Sequence, residues 1–191
     1  MDKHHHHAGK SSRDILDPER VLQAMGLDKG MSFLDVGAGD GHISLVAARI
    51  VDREGDVTAV DVHAPSLALL ENEMKDRHIS NIDVIEADFT KAMDLKGKRF
   101  DRILMANVFH GFVANKELDQ VKENCDGLLK RDGLLAIVEF KKDATAGPPR
   151  EIRISSDRIA ALLEPFGFHR IKKEEVGTYH DLTLLKVLEG Q

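Results

Sequence analysis

The stretch Phe33-Leu34-Asp35-Val36-Gly37-Ala38-Gly39-Asp40-Gly41-His42-Ile43-Ser44 runs from an apolar strand through a glycine-rich turn into a helix start. Glycines at alternate positions let the backbone turn sharply at the strand end and let a ligand approach where a Cβ would intrude. Their spacing is Gly-x-Gly-x-Gly, not the Gly-x-Gly-x-x-Gly of dinucleotide-binding folds, which weakens the NAD reading. No Gly-Lys-Ser/Thr follows the turn, so a phosphate-cradling P-loop is excluded. Asp35, on the strand just before the turn, is a cofactor-binding candidate. Asp61 ends the next apolar run, Val57-Thr58-Ala59-Val60, about 20 residues past the last glycine, where a ribose-binding carboxylate is expected. The stretch therefore points to a nucleotide-like ligand.

Outward from this turn, strand and helix patterns alternate with short connections, which predicts an α/β fold whose parallel sheet is covered on both faces. The patterns place strands near Ser32–Val36, Val57–Asp61, Asp83–Glu86, Arg102–Ala106 and Leu134–Phe140. Helices fill His42–Val51, Pro65–Arg77, Lys116–Lys130 and Ser156–Phe166. Upstream, Asp17 and Pro18 are an N-cap and first residue for a short helix that Gly26 stops. At the other end, Phe168–Glu175 and His180–Leu188 read as a hairpin joined through Gly177-Thr178-Tyr179. One domain is expected over residues 13–191. Residues 1–12, with His4-His5-His6-His7 among Lys, Gly and Ser, read as a flexible arm that is either a purification tag or a native His-rich segment.

Composition narrows the partners. The 191 residues, 42% hydrophobic and 31% charged, suit one globular core, and no apolar run approaches the ~20 residues that span a bilayer. A formal charge of −6, no Trp and one Tyr make nucleic acid an unlikely partner, because neither a basic surface nor stacking platforms are supplied. The single cysteine, Cys125, excludes an internal disulfide and fits a reducing cytoplasm. It lies in a helical pattern beside Leu128 and Leu129, as a small buried side chain would, and cannot alone supply the thiolate set that a metalloid acceptor needs.

Five segments carry a resemblance to the class I S-adenosylmethionine (SAM)-dependent methyltransferases: Phe33–Gly41, Val57–Leu70, Val84–Thr90, Phe100–Phe112 and Leu128–Phe140. Within that superfamily the chain is similar to small stand-alone enzymes related to the ubiquinone/menaquinone-biosynthesis methyltransferases. Phe109-His110 after the fourth strand and Lys141-Lys142…Gly147-Pro148-Pro149 after the fifth carry the likeness to one prokaryotic group. The resemblance implies a Rossmann-like doubly wound sheet of order 3-2-1-4-5-7-6 with the last strand antiparallel. It also implies S-adenosyl-L-methionine as cofactor. Gly37, Gly39 and Gly41 would carry its amino-acid and ribose portion, and Asp61 would accept from the ribose hydroxyls. Val62 would pack on the adenine, Asp88 accept from its amino group and Phe89 flank the ring, while Asn107 would contact the methionine moiety. Each acid has a purely structural alternative, Asp61 as a cap before Ala64-Pro65 and Asp88 as a cap on the Thr90–Met93 turn.

Methyl transfer from a sulfonium needs positioning, exclusion of water and, for some acceptors, a base. His110 is the candidate base, since it follows the fourth strand and titrates near neutrality; alternatively it sits in a loop with a structural hydrogen bond. Glu139 is a charge inside an apolar strand and is expected either at the cleft or paired with Lys141, Lys142 or Arg150. No role is assigned to Tyr179 or His180. No metal ligand set is expected. The sequence Asn107-Val108-Phe109-His110 departs from the Asn/Asp-Pro-Pro-Tyr/Phe pattern, which disfavours transfer to base or glutamine amino nitrogens. The cover available to the acceptor is small: residues 1–27 and the loops Phe109–Ala114 and Lys142–Ser155. That favours a small-molecule acceptor or a site completed by a second copy of the chain. A SAM-binding sensor or non-catalytic partner subunit, and an NAD(P)-linked oxidoreductase, are the competing classes.

Overall fold

The computed structural model describes residues 12–188. Strands β1 (Ser32–Val36), β2 (Asp56–Asp61), β3 (Ile82–Glu86), β4 (Phe100–Ala106), β5 (Leu129–Phe140), β6 (Phe168–Glu175) and β7 (His180–Val187) form one seven-stranded sheet of order β3-β2-β1-β4-β5-β7-β6. The first five are parallel, and β7 runs antiparallel to both β5 and β6. The helices are α1 (Pro18–Ala24), α2 (His42–Val51), α3 (Ala64–Asp76), α4 (Phe109–Ala114), α5 (Leu118–Leu128) and α6 (Ser156–Leu163). The expected order, the terminal hairpin and the antiparallel last strand are all present.

Alternation along the strands divides the interior into two cores. Phe33, Leu104, Ala136 and Val138 face one core with residues of α1 and α2, among them Leu22 and Ala47. Leu34, Val36, Ile103, Met105, Leu135 and Ile137 face the other with residues of α5 and α6, among them Val121 and Ile159. Fully burying each large side chain, such as Phe33 or Leu104, contributes roughly 1.5–3 kcal/mol. The same alternation decides where two charged residues go. Asp35 shares the face of Phe33, beneath α2, and Glu139 shares that of Leu135 and Ile137, toward α4.

Helix α1 begins as read from sequence: Asp17 accepts from the amides of Glu19 and Arg20, Pro18 opens the helix, and Gly26 at φ 67° follows its end. Three segments differ from expectation, one of them β5, which begins at Leu129 and not at Leu134. Phe109–Ala114 is helical, not a loop, because Phe109 and His110 are buried and the His110 amide is held from β5. The helix expected over Lys116–Lys130 is confined to Leu118–Leu128, with Lys116 in the left-handed region at φ 61° between it and α4.

Candidate functional site

The order of strands reverses between β1 and β4, and the glycine turn leaves β1 at that point, where open α/β sheets bind ligands. Gly37, Gly39 and Gly41 all have positive φ, at 75°, 56° and 73°. Their surroundings differ. A Cβ on Gly37 would stand 2.4 Å from Val108 Cγ1, and one on Gly41 2.3 Å from Leu70 Cδ1, so these two admit close packing. A Cβ on Gly39 would meet nothing within 4 Å. Gly39 is the position whose backbone faces ligand space.

Asp61 ties the turn to β2. One carboxylate oxygen accepts from the Gly39 amide at 2.8 Å, the other from the His63 amide at 2.8 Å. Each oxygen keeps further acceptor capacity. Asp35 lies beneath the turn and accepts from Ser44 Oγ at 2.7 Å. Burial pushes its pKa up to about 6, against the Ser44 hydrogen bond, and the nearby charge of Asp61 adds to the rise. Its side chain thus braces the turn from the protein side. Asp88 Oδ1 accepts from the Thr90 amide at 2.9 Å and from Thr90 Oγ1 at 2.6 Å, the capping arrangement weighed above. Burial raises the Asp88 pKa, but the Thr90 and Lys91 interactions outweigh it and leave the group below its ordinary value. Phe89 is buried in the core beside α5, and Val62 is exposed at the end of β2.

A cavity of about 430 Å³ opens beside the turn, lined by Gly37 to Asp40, Ala106 to Val108, His110, Phe140 and Gly147 to Pro149, with Ser12 and Ile15 from the N-terminal segment. It joins four of the expected residues: Gly37, Gly39, Asn107 and His110. Asp35, Gly41, Asp61, Val62, Asp88, Phe89 and Glu139 are not on its wall. Asn107, in the left-handed region at φ 60°, donates its amide to the Val138 carbonyl at 2.9 Å, and its Oδ1 is buried without a hydrogen-bond partner in the described structure. A buried amide oxygen left unmatched costs roughly 1–3 kcal/mol, which an incoming N–H donor would offset.

His110 and Glu139 form a buried dyad, 5% and 2% exposed. Glu139 Oε1 accepts from the His110 amide at 2.9 Å and Oε2 bonds Nδ1 at 2.8 Å. Burial lowers the imidazole pKa, but the hydrogen bond and charge of Glu139 outweigh it, and His110 ends above its ordinary value. Two of the cationic partners considered for Glu139 are engaged elsewhere. Lys141 Nζ pairs with Glu175 at 2.7 Å, and Lys142 Nζ reaches the Arg150 carbonyl at 3.5 Å.

Sequence reasoning missed three supports. Arg153 is buried and donates to the carbonyls of Pro148, Ala144 and Ala146 at 2.8, 2.6 and 3.1 Å, and to those of Lys141 and Lys142 at 3.3 Å. His180, fully buried, packs on the Phe140 ring at 4.1 Å, and neither ring nitrogen has a hydrogen-bond partner in the described structure. The N-terminal segment is held over the turn by Arg13, whose Nε donates to Asp40 at 2.8 Å, and by His42 Nε2, 3.1 Å from the Leu16 carbonyl. No local pattern marks these residues, since their partners are distant or are main-chain carbonyls. Residues 1–11, with the four consecutive histidines, lie outside the described residues. Ser12, read with that arm, belongs to a turn in which its carbonyl accepts from the amides of Ile15 and Leu16.

The donor set suits a ligand that carries a ribose, an amine and no phosphate. The turn and Asp61 offer a surface for vicinal hydroxyls, Asn107 offers an unmatched acceptor, and no Lys or Arg lines the cavity among the described residues. The family model described as "Methyltransferase domain" matches residues 27–179. The ubiquinone/menaquinone biosynthesis C-methyltransferase UbiE of Idiomarina loihiensis is 27% identical over 66% of this chain and 49% of its own length, so the chain spans about half of that relative. A SAM-dependent methyltransferase from Aquifex aeolicus superimposes with a TM-score of 0.81 at 29% identity, covering 94% of this chain and 95% of that one. The [4+2]-cyclase SpnF shares the fold, with a TM-score of 0.74 at 18% identity over 91% of this chain and 81% of its own.

Proposed function

This chain belongs to the methyltransferase-domain family of class I SAM-dependent methyltransferases, and from that premise we propose that it transfers a methyl group from SAM to a small organic acceptor, with His110 as base. The observation that carries the reading is His110, on the wall of the cavity that the glycine turn also lines and held from behind by the buried Glu139. Gly37 and Gly39 supply main chain to the methionine and ribose portion, Asp61 accepts from the ribose hydroxyls, and Val62, exposed beyond it, covers the adenine. Asn107 Oδ1 accepts from the amino group. Bound SAM supplies a methyl on a sulfonium, which an in-line nucleophile displaces. The protein positions the acceptor and removes its proton where one must leave. Glu139 fixes the ring, holds Nδ1 and stabilises the imidazolium that forms, so a proton taken from the acceptor arrives at Nε2. Localisation in the cytoplasm accords with the lone buried cysteine, and no described helix is long and apolar enough to cross a membrane.

The test uses His110→Gln, because a Gln side chain still donates to Glu139 and leaves no unpaired buried carboxylate. Labelled SAM is incubated with fractionated cell extract and the label is traced to small molecules, protein or RNA. Transfer to a small molecule should fall by about 10²–10⁴-fold in the variant, with the SAM dissociation constant by calorimetry changed less than about twofold. Unchanged transfer removes His110 as base. SAM binding without transfer from any extract favours a sensor or partner subunit, and NAD(P)H binding without SAM binding overturns the assignment.

A further inference from the structure

Away from the glycine turn, the cavity wall includes Phe140, Pro148 and Pro149. This wall is fixed before any ligand arrives. The Phe140 ring is backed by His180 at 4.1 Å, and Gly147 stands so close that a Cβ there would fall 2.4 Å from Phe140 Cδ1. The loop that carries the two prolines is tied down by Arg153, which donates to the carbonyls of Ala144, Ala146 and Pro148. The surface offered is apolar and rigid, suited to a ring.

Its electrostatics select further. Among the described residues the cavity has no Lys or Arg, and its one carboxylate, Asp40, is paired with Arg13. An acceptor carrying a carboxylate or phosphate would lose hydration without gaining a Lys or Arg as partner, which is costly. The only titrating group described on the wall besides Asp40 is His110, held by Glu139. A base of imidazole strength reaches a phenolic hydroxyl, whose pKa is ~10, far more readily than an aliphatic one, which lies nearer the ~16 of water.

We propose that the acceptor side of this site takes a small, uncharged phenol, its ring against Phe140, Pro148 and Pro149 and its hydroxyl directed to His110. This rests on reading the cavity as a methyl-transfer site. The O–H bond breaks, the proton passes to Nε2 of His110, and the electron pair stays on oxygen. The methyl joins that oxygen as the carbon–sulfur bond breaks, with its pair remaining on sulfur. The imidazolium returns its proton to water once the product leaves.

The experiment uses the full chain saturated with S-adenosylhomocysteine and three probes of similar shape: 4-nitrophenol, 4-nitroaniline and 4-nitrobenzoate. Absorbance reports ionisation of bound 4-nitrophenol, and calorimetry reports affinity. The phenol should bind at least tenfold more tightly than either other probe, and its phenolate band should grow at least tenfold over free probe at the same acidic pH. His110→Gln should remove that band. Equal or tighter binding of the amine or the carboxylate overturns the proposal, as does a bound phenol that stays protonated. These outcomes in wild-type protein do not depend on the variant folding. Failure of S-adenosylhomocysteine to bind would instead sink the cofactor reading, and calorimetry without any probe separates the two.

Discussion

Asp35 and His180 are both buried, and they respond to acid in opposite senses. Asp35 has its carboxyl raised from 3.8 to about 6, chiefly by burial, so the folded protein holds its proton more firmly than the unfolded chain. Stability from this group is present below the unfolded value and lost as pH rises from about 4 to 6. His180 has its imidazole lowered from 6.5 to about 4, by burial and then by the charge of Lys141, so stability is lost as pH falls through that window. Each amounts to about 3 kcal/mol, and the two offset one another. Asp35→Asn should therefore be more stable than wild type near neutrality, with the gain vanishing by about pH 4; His180→Leu should gain stability progressively as pH falls over the same range. Urea unfolding at a series of pH values reads both, and parallel curves for variant and wild type would refute them. At His110 the sign is set instead by its partner. Glu139→Gln removes the charge that raises the imidazole, so its NMR titration midpoint should move to lower pH; an unchanged midpoint would show that Glu139 does not control it. Only part of this was legible in sequence. Asp35 reads as a ligand contact because it precedes the glycines, yet strand alternation turns it under α2 to Ser44.

At the scale of the element, the glycine turn is three different requirements in one motif. Gly41 must lack a side chain because Leu70 of α3 fills the space, and Gly37 because Val108 does. Gly39 has open space and is constrained only by its φ of 56°. Gly41→Ala combines a left-handed alanine at about 1–2 kcal/mol with overpacking at about 1–3, so a loss of roughly 2–5 kcal/mol is expected. Gly39→Ala should cost the fold only about 1–2 kcal/mol, yet weaken SAM binding by tenfold or more, because its methyl enters the ligand space. Urea unfolding paired with SAM calorimetry distinguishes the two, and equal effects of both substitutions would show that the motif is uniform. The spacing of the glycines was readable without a structure; the division of labour was not, since Leu70 and Val108 come from distant segments. Helix α4 escaped for a similar reason. Val108 at its N-terminus supplies no side-chain cap, Gly111 lies within it, and its formation depends on burial of Phe109 and on the bond from the His110 amide to Glu139.

At the scale of the molecule, the sheet brings residues from four chain regions to one cleft: the segment after Ser12, the turn after β1, α4 after β4, and the loop after β5. The parallel, two-faced architecture follows from alternating apolar runs, and the place of the cleft follows from strand order. What closes the acceptor side does not follow from periodicity, because residues 141–153 contain no helix or strand with a pattern to read. Arg153 supplies the order there, by converting carbonyls that would otherwise demand water into ligands of one buried guanidinium. Hydrogen bonds to a charged donor contribute about 1.5–3 kcal/mol each, so losing the guanidinium should release the loop while the sheet, which does not depend on it, stays folded. Arg153→Met, close in length and apolar, is the substitution that tests this. Amide exchange in residues 144–152 should accelerate at least tenfold while exchange in β1 and β4 is unchanged. SAM affinity should stay within about twofold, because the glycine turn and Asp61 lie on the other side of the cleft, and 4-nitrophenol affinity should fall tenfold or more. Loss of both ligands together would mean that Arg153 supports the whole fold; retention of both would mean that the loop takes no part in holding the acceptor.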